Sequence, residues 1–69
     1  MKLSTRNQLT GTVLSITEGE AIAVVKVQLD GGHVVTSSIT REAAAELELA
    51  EGSSVTALIK SSDVALAID

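Results

Sequence analysis

Three clusters of polar side chains interrupt an otherwise apolar sequence, and two of them carry a cation beside hydroxyl groups. Residues 4–8 include Ser4 and Arg6, residues 60–63 include Lys60 and Ser61, and a third cluster covers residues 36–40. A cation offsets the cost of desolvating an anion, and hydroxyl donors satisfy its oxygen atoms. The pattern is compatible with a site for a small oxyanion. Serine and threonine are also common in turns, so an ordinary structural role stays open for all three clusters.

The rest of the composition argues against several other functions. The chain has one histidine, no cysteine, no aromatic residue and a net charge of −4. A nucleophile–base pair, a metal-binding cluster and a basic patch with stacking aromatics are all missing from the sequence, so we expect neither an enzyme nor a nucleic-acid-binding protein. No apolar stretch approaches the ~20 residues that span a bilayer, and the N-terminus does not resemble a secretion signal. We therefore expect a cytoplasmic protein with no membrane partner.

Alternating apolar side chains and turn residues predict the elements that would position these clusters. Gly11, inside the first strand, indicates a β-bulge or the close approach of another backbone. Asp30, Gly31 and Gly32 predict a hairpin turn, because glycine adopts positive φ without strain. Five strands are expected, over residues 8–17, 21–29, 33–39, 54–60 and 64–68.

One short helix is expected between the third and fourth strands. Thr40 is a plausible N-cap, Glu42 lies in the first turn, and the alanines that follow favour a helix. Five short strands with one helix predict an all-β fold, a small OB-like barrel that forms a single domain over residues 1–69. A core without aromatic residues in so short a chain buries little surface, so we expect oligomerisation to add burial.

The sequence resembles the molbindins, the Mop-type molybdate-binding domains related to TOBE domains. Residues 4–9 (STRNQL), followed by Gly11, are similar to the family signature SARNQxxG, with Thr5 in place of alanine. The resemblance extends over the Gly-Gly hairpin, the entry to the helix and the late motif KSSDV at residues 60–64. It implies a five-stranded OB-like barrel, a homo-oligomer that is a hexamer when the domain occurs singly, and molybdate or tungstate bound between subunits without catalysis or an organic cofactor.

The same resemblance implies which residues contact the oxyanion. One subunit would contribute Ser4 and Arg6, and its neighbour Thr40, Lys60 and Ser61, with no side chain acting as a direct metal ligand. The family often has serine where this chain has Ala43, so one hydroxyl donor is lost. Two functions therefore stay open: intracellular storage or homeostasis of molybdate and tungstate, and a structural or regulatory oligomerisation module whose anion site is weak or lost.

Overall fold

The computed structural model describes residues 3–69; Met1 and Lys2, which the predicted domain includes, lie outside the described residues. The chain forms four strands, β1 (Asn7–Glu18), β2 (Ile22–Leu29), β3 (Val34–Thr40) and β4 (Ser54–Ile59). A helix α1 (Arg41–Glu46) joins β3 to β4, and a single 3₁₀ turn (Ser61–Asp63) follows β4. The all-β class and the short helix are confirmed.

The four strands form one antiparallel sheet in the order β3-β2-β1-β4. This sheet curls into a half-barrel, with β3 and β4 as its two outer strands. Val13, Val25 and Val27 form the buried core on the concave face, and Ala44 of α1 is buried as well. These are small side chains, as the composition requires.

Gly11 lies where the central strand β1 pairs with both neighbours, opposite Leu29 of β2 and Val55 of β4. A Cβ atom at this position would lie 2.5 Å from the carbonyl oxygen of Gln28. The close approach of another backbone is therefore confirmed. The pairing of β1 with β2 is irregular at a different point, between Val13 and Ser15, so Gly11 itself is not at a bulge.

The predicted hairpin turn before β3 also forms, and a second turn joins β1 to β2. The N–H of Gly32, at φ 98°, donates to the carbonyl of Leu29 at 2.8 Å and closes the β2–β3 hairpin. The N–H of Gly19 donates to the carbonyl of Ile22 at 2.8 Å in the β1–β2 turn. Both turns keep their strands in register.

The predicted fifth strand is wrong for the single chain. Residues 64–69 follow the 3₁₀ turn without pairing with any described strand. The side chains of Leu66 and Ile68 are 93% and 98% exposed. Alternation of apolar residues reports which side chains can be buried, whereas a strand also needs a partner for its backbone hydrogen bonds.

Candidate oxyanion site

The N-terminal arm and the end of β4 lie side by side. Asn7 pairs with Ile59, and its side-chain Nδ2 donates to the Ile59 carbonyl at 3.1 Å. Gln8 Nε2 donates to the Thr5 carbonyl at 3.3 Å. These hydrogen bonds hold the N-terminal arm against the end of β4. Arg6 and Lys60 each lie one residue beyond the Asn7–Ile59 pair, so both are at the same end of the sheet.

This end of the sheet concentrates positive charge and hydroxyl groups. The side chains of Ser4, Arg6, Lys60 and Ser61 are all exposed. Within residues 3–69 the one salt bridge joins Arg41 and Glu18, so no described carboxylate neutralises Arg6 or Lys60. Asp63 belongs to the same 3₁₀ turn as Ser61, but it contributes a backbone bond, from its N–H to the Lys60 carbonyl at 2.9 Å. Two neighbouring cations without counter-ions favour an anion between them.

Thr40 lies at the opposite end of the sheet. It pairs with Ile22, next to the Ala23–Glu18 pair at the far end of β1. In the curled sheet, Ile39 and Ile59, which precede Thr40 and Lys60 in the sequence, line the same groove.

The β1–β4 pairing places Lys60 and Ser61 beside Ser4 and Arg6 of the same chain, where β1 starts and β4 ends. The division of these residues and Thr40 between two subunits stays a prediction.

Thr40 is confirmed as the helix N-cap and keeps hydrogen-bonding capacity. Its Oγ1 accepts from the Ala43 N–H at 3.0 Å. A hydroxyl has two acceptor lone pairs and one proton, so this cap leaves the proton for an anion. The Ala43 side chain, half-buried in the same turn, has no polar atom to add.

Thr5 is a feature that the sequence motif did not explain. Its Oγ1 is shielded from solvent and has no hydrogen-bond partner within the described residues. An unsatisfied buried hydroxyl costs about 1–3 kcal/mol. The sequence shows that Thr5 replaces the alanine of the family signature, but it does not show that the threonine hydroxyl is buried.

The third polar cluster has an ordinary structural role. Thr36 Oγ1 accepts from Lys26 Nζ at 2.7 Å across the β2–β3 pair. His33 is exposed after the hairpin, and no three potential metal-ligating side chains cluster within residues 3–69. None of the helices described there has the length and hydropathy needed to cross a membrane.

An apolar groove of about 710 Å³ runs along the open side of the half-barrel. Val13, Val25 and Val27 form its floor, and residues of β3 and β4 form its two sides. No cation lines the groove, and none of the predicted oxyanion contacts does, although it extends to Ile39 and Ile59 beside two of them.

The curled antiparallel sheet with one short helix defines an OB-like barrel domain. The chain belongs to the TOBE domain family, whose model matches residues 3–66, and it is of the molbindin type.

Its relatives are proteins described as binding molybdenum-pterin or molybdate. The probable molybdenum-pterin-binding protein of Haemophilus influenzae is 39% identical over 69 residues, which covers both chains completely. Molybdenum-pterin-binding protein 1 of Clostridium pasteurianum is 42% identical over 64 residues, covering 93% of this chain and 94% of the relative. MopA of Rhodobacter capsulatus is 46% identical over 97% of this chain, but this match covers 25% of that longer protein.

Solved structures agree with the fold. The molybdate-binding protein of Sporomusa ovata superposes with a TM-score of 0.93 at 34% identity, over 99% of this chain and 100% of that one. The cytoplasmic molybdate-binding protein ModG, with molybdate bound, gives a TM-score of 0.88 at 49% identity, over 91% of this chain and 45% of that one. A cooperative binding mechanism is suggested for ModG.

Proposed function

We propose that the protein binds molybdate, and tungstate equally, between subunits of a cytoplasmic homo-oligomer, and that it stores or buffers the anion without catalysis. The observation that supports this most is the pair of cations, Arg6 and Lys60, held at one end of the β1–β4 pair with no salt bridge to a described carboxylate. The relatives are binding proteins for molybdenum compounds, which favours this ligand over other oxyanions.

Each site would combine residues of two chains. One chain would contribute Ser4 and Arg6, and its neighbour would contribute Thr40, Lys60 and Ser61. A two-fold axis between the chains would make two equal sites, because each chain has both sets of residues. A hexamer, as the family resemblance implies, would consist of three such pairs.

The donor set suits a tetrahedral dianion. Two cations balance two negative charges, while the chain as a whole, at −4, repels anions at long range. Binding would therefore depend on the contacts with Arg6 and Lys60 rather than on the electrostatic field of the whole chain. Molybdate and tungstate are nearly the same size, so the site would not separate them, whereas the smaller sulfate leaves donors unsatisfied.

An intact molybdenum-pterin cofactor is a poorer ligand for this chain. A flat heterocycle is commonly held by stacking on an aromatic ring, and the sequence has no Phe, Tyr or Trp. We therefore assign the free oxyanion, without an organic cofactor, as the ligand.

Calorimetry with molybdate, tungstate and sulfate tests the proposal. We expect heat with a defined stoichiometry from the first two anions and none from sulfate. A charge-assisted hydrogen bond contributes about 1.5–3 kcal/mol, so Arg6→Ala and Lys60→Ala should each weaken binding at least tenfold.

Lys26→Ala is the matched control, because this lysine is equally exposed but bonds Thr36 on the sheet surface away from the site. Normal binding by both Arg6→Ala and Lys60→Ala would overturn the assignment of these residues. Equal weakening by all three variants would mean that only net charge matters.

One observation favours the second function, an oligomerisation module with a weak or lost site. Ala43 lies beside the Thr40 hydroxyl and offers no donor of its own. If Ala43→Ser tightens molybdate binding about ten- to a hundredfold, the amount expected for one restored charge-assisted bond, the native site is weakened at this position. Absence of any binding by the native protein would support the second function over storage.

A further inference from the structure

The side chain of Arg41 has only weak contacts with the rest of the chain. Its Nε lies 3.5 Å from Oε2 of Glu18, and its Nη1 donates to the Gly19 carbonyl, also at 3.5 Å. Both distances are beyond the usual range of an N–H···O hydrogen bond. The Arg41 and Glu18 side chains are 56% and 53% exposed, so water competes with the ion pair. The guanidinium is therefore easily released from Glu18.

The backbone of Arg41, in contrast, is held firmly beside a predicted oxyanion contact. Arg41 directly follows Thr40 and is the first residue of α1, and its N–H donates to the Ala21 carbonyl at 2.8 Å. Adjacent Cα atoms are about 3.8 Å apart, and the arginine side chain is long and flexible. Rotation of this side chain can therefore carry the guanidinium from the β1–β2 turn to an anion at the Thr40 hydroxyl.

The other cations that the structure describes have different surroundings. Arg6 and Lys60 belong to the proposed site, and Lys26 Nζ bonds Thr36 Oγ1 at 2.7 Å on the sheet surface. Among the described residues, Arg41 is the cation that combines a weakly held side chain with a position next to a predicted contact outside the Arg6–Lys60 pair.

We propose that Arg41 is a third cation of the oxyanion site and that it exchanges Glu18 for the anion when molybdate binds; this inference rests on the proposed function. Arg41 would act from the same chain as Thr40. The charges still balance, because Arg6, Lys60, Arg41 and Glu18 together carry two net positive charges, which a molybdate dianion offsets. Glu18 is already half exposed, so its carboxylate is left in water.

The exchange is favourable because the two interactions of Arg41 differ in strength. An exposed ion pair changes an equilibrium constant by at most about fivefold, whereas a charge-assisted hydrogen bond changes it by about ten- to a hundredfold. The planar guanidinium also offers two parallel N–H donors to two oxygens of one anion. Glu18 therefore keeps Arg41 beside the empty site and competes with the anion for it.

Calorimetry with molybdate tests the proposal through single variants. Arg41→Gln removes the charge and should weaken binding at least about fivefold, whereas Arg41→Lys keeps the charge and should weaken it less. Glu18→Gln removes the competitor and should tighten binding about two- to fivefold. Glu20→Gln is the matched control, because it removes the same charge from the same turn and Glu20 has no salt bridge within the described residues. Its Kd should equal that of the native protein.

The double variant Glu18→Gln/Arg41→Gln separates competition for Arg41 from a simple effect of charge. If Glu18 acts through Arg41, adding Glu18→Gln to Arg41→Gln should not change the molybdate Kd further. A native Kd in Arg41→Gln, or equal tightening by Glu18→Gln with and without Arg41, would overturn the proposal. Weakened binding by Arg6→Ala and Lys60→Ala would then still support the proposed function, whereas a native protein that binds no molybdate would overturn both.

Discussion

Replacing Gly11 with alanine should destabilise the protein strongly, because the added methyl group would clash with strand β2. Its Cβ would lie 2.5 Å from the Gln28 carbonyl oxygen, 3.1 Å from the Gln28 carbonyl carbon and 2.9 Å from Cγ1 of Val27. Two of these atoms are backbone atoms of the paired strand β2, and the third belongs to a core side chain that is 5% exposed. Relief of these contacts would require β1 and β2 to separate where β1 pairs with both of its neighbours.

The expected magnitude follows from two opposing terms. Overpacking of this kind costs typically 1–3 kcal/mol or more, while removing a glycine from the unfolded chain gains about 0.4–1 kcal/mol. A net loss of about 1–2 kcal/mol corresponds to a fall in Tm of roughly 4–16 °C for a domain of this size. Far-ultraviolet circular dichroism is the suitable probe, because the chain has no aromatic fluorophore.

Gly31→Ala provides the control for this measurement. A Cβ atom there has no neighbour within 4 Å, and its φ is not positive, so its Tm should stay within a few degrees of the native value. Both variants must be compared at one protein concentration, since association raises the Tm. If the Gly11→Ala protein has the same Tm as the native protein, the predicted clash between residue 11 and β2 is refuted.

Further variants test single contacts in the same way. Thr5→Val removes the unsatisfied hydroxyl at constant shape and should raise stability by about 1 kcal/mol in a denaturant titration; a loss of stability would mean that an assembled copy bonds this hydroxyl. Thr40→Val should lose about 1 kcal/mol from the missing N-cap and also weaken molybdate binding in calorimetry, whereas Thr40→Ser should keep both. Glu18→Gln breaks the 3.5 Å ion pair with Arg41, whose side chains are 53% and 56% exposed, and should cost less than about 1 kcal/mol in the same titration. A larger cost would show that the pair is coupled to the β1–β2 turn.

Much of the fold could be predicted because the turns and the helix start depend on residues that are close together in the sequence. The hairpin at 30–32 depends on glycine at φ 98°, and the helix start depends on a bond from the Ala43 N–H to the Thr40 hydroxyl three residues away. Alternation in β2 puts Ala23, Val25 and Val27 on one face of the strand, and all three are buried. Such features involve neighbouring residues, so the sequence contains them directly.

The error concerns a relation between residues that are distant in the sequence. The fifth strand was predicted from its alternation, which is correct as a pattern, but no described strand pairs with it in this chain. Alternation identifies an apolar face and does not say which chain covers it.

The unpaired C-terminal segment is a part of the single chain that lacks its complement, because Leu66 and Ile68 are apolar and yet exposed. Only five apolar side chains are buried in the described structure: Val13, Ala23, Val25, Val27 and Ala44. So small a core gives the isolated chain little stability. We infer that association and anion binding are coupled: an anion that bridges two chains stabilises the assembly through its affinity, by about 2.7 kcal/mol at a hundred times its Kd. An anion held within one chain would have no such effect on association.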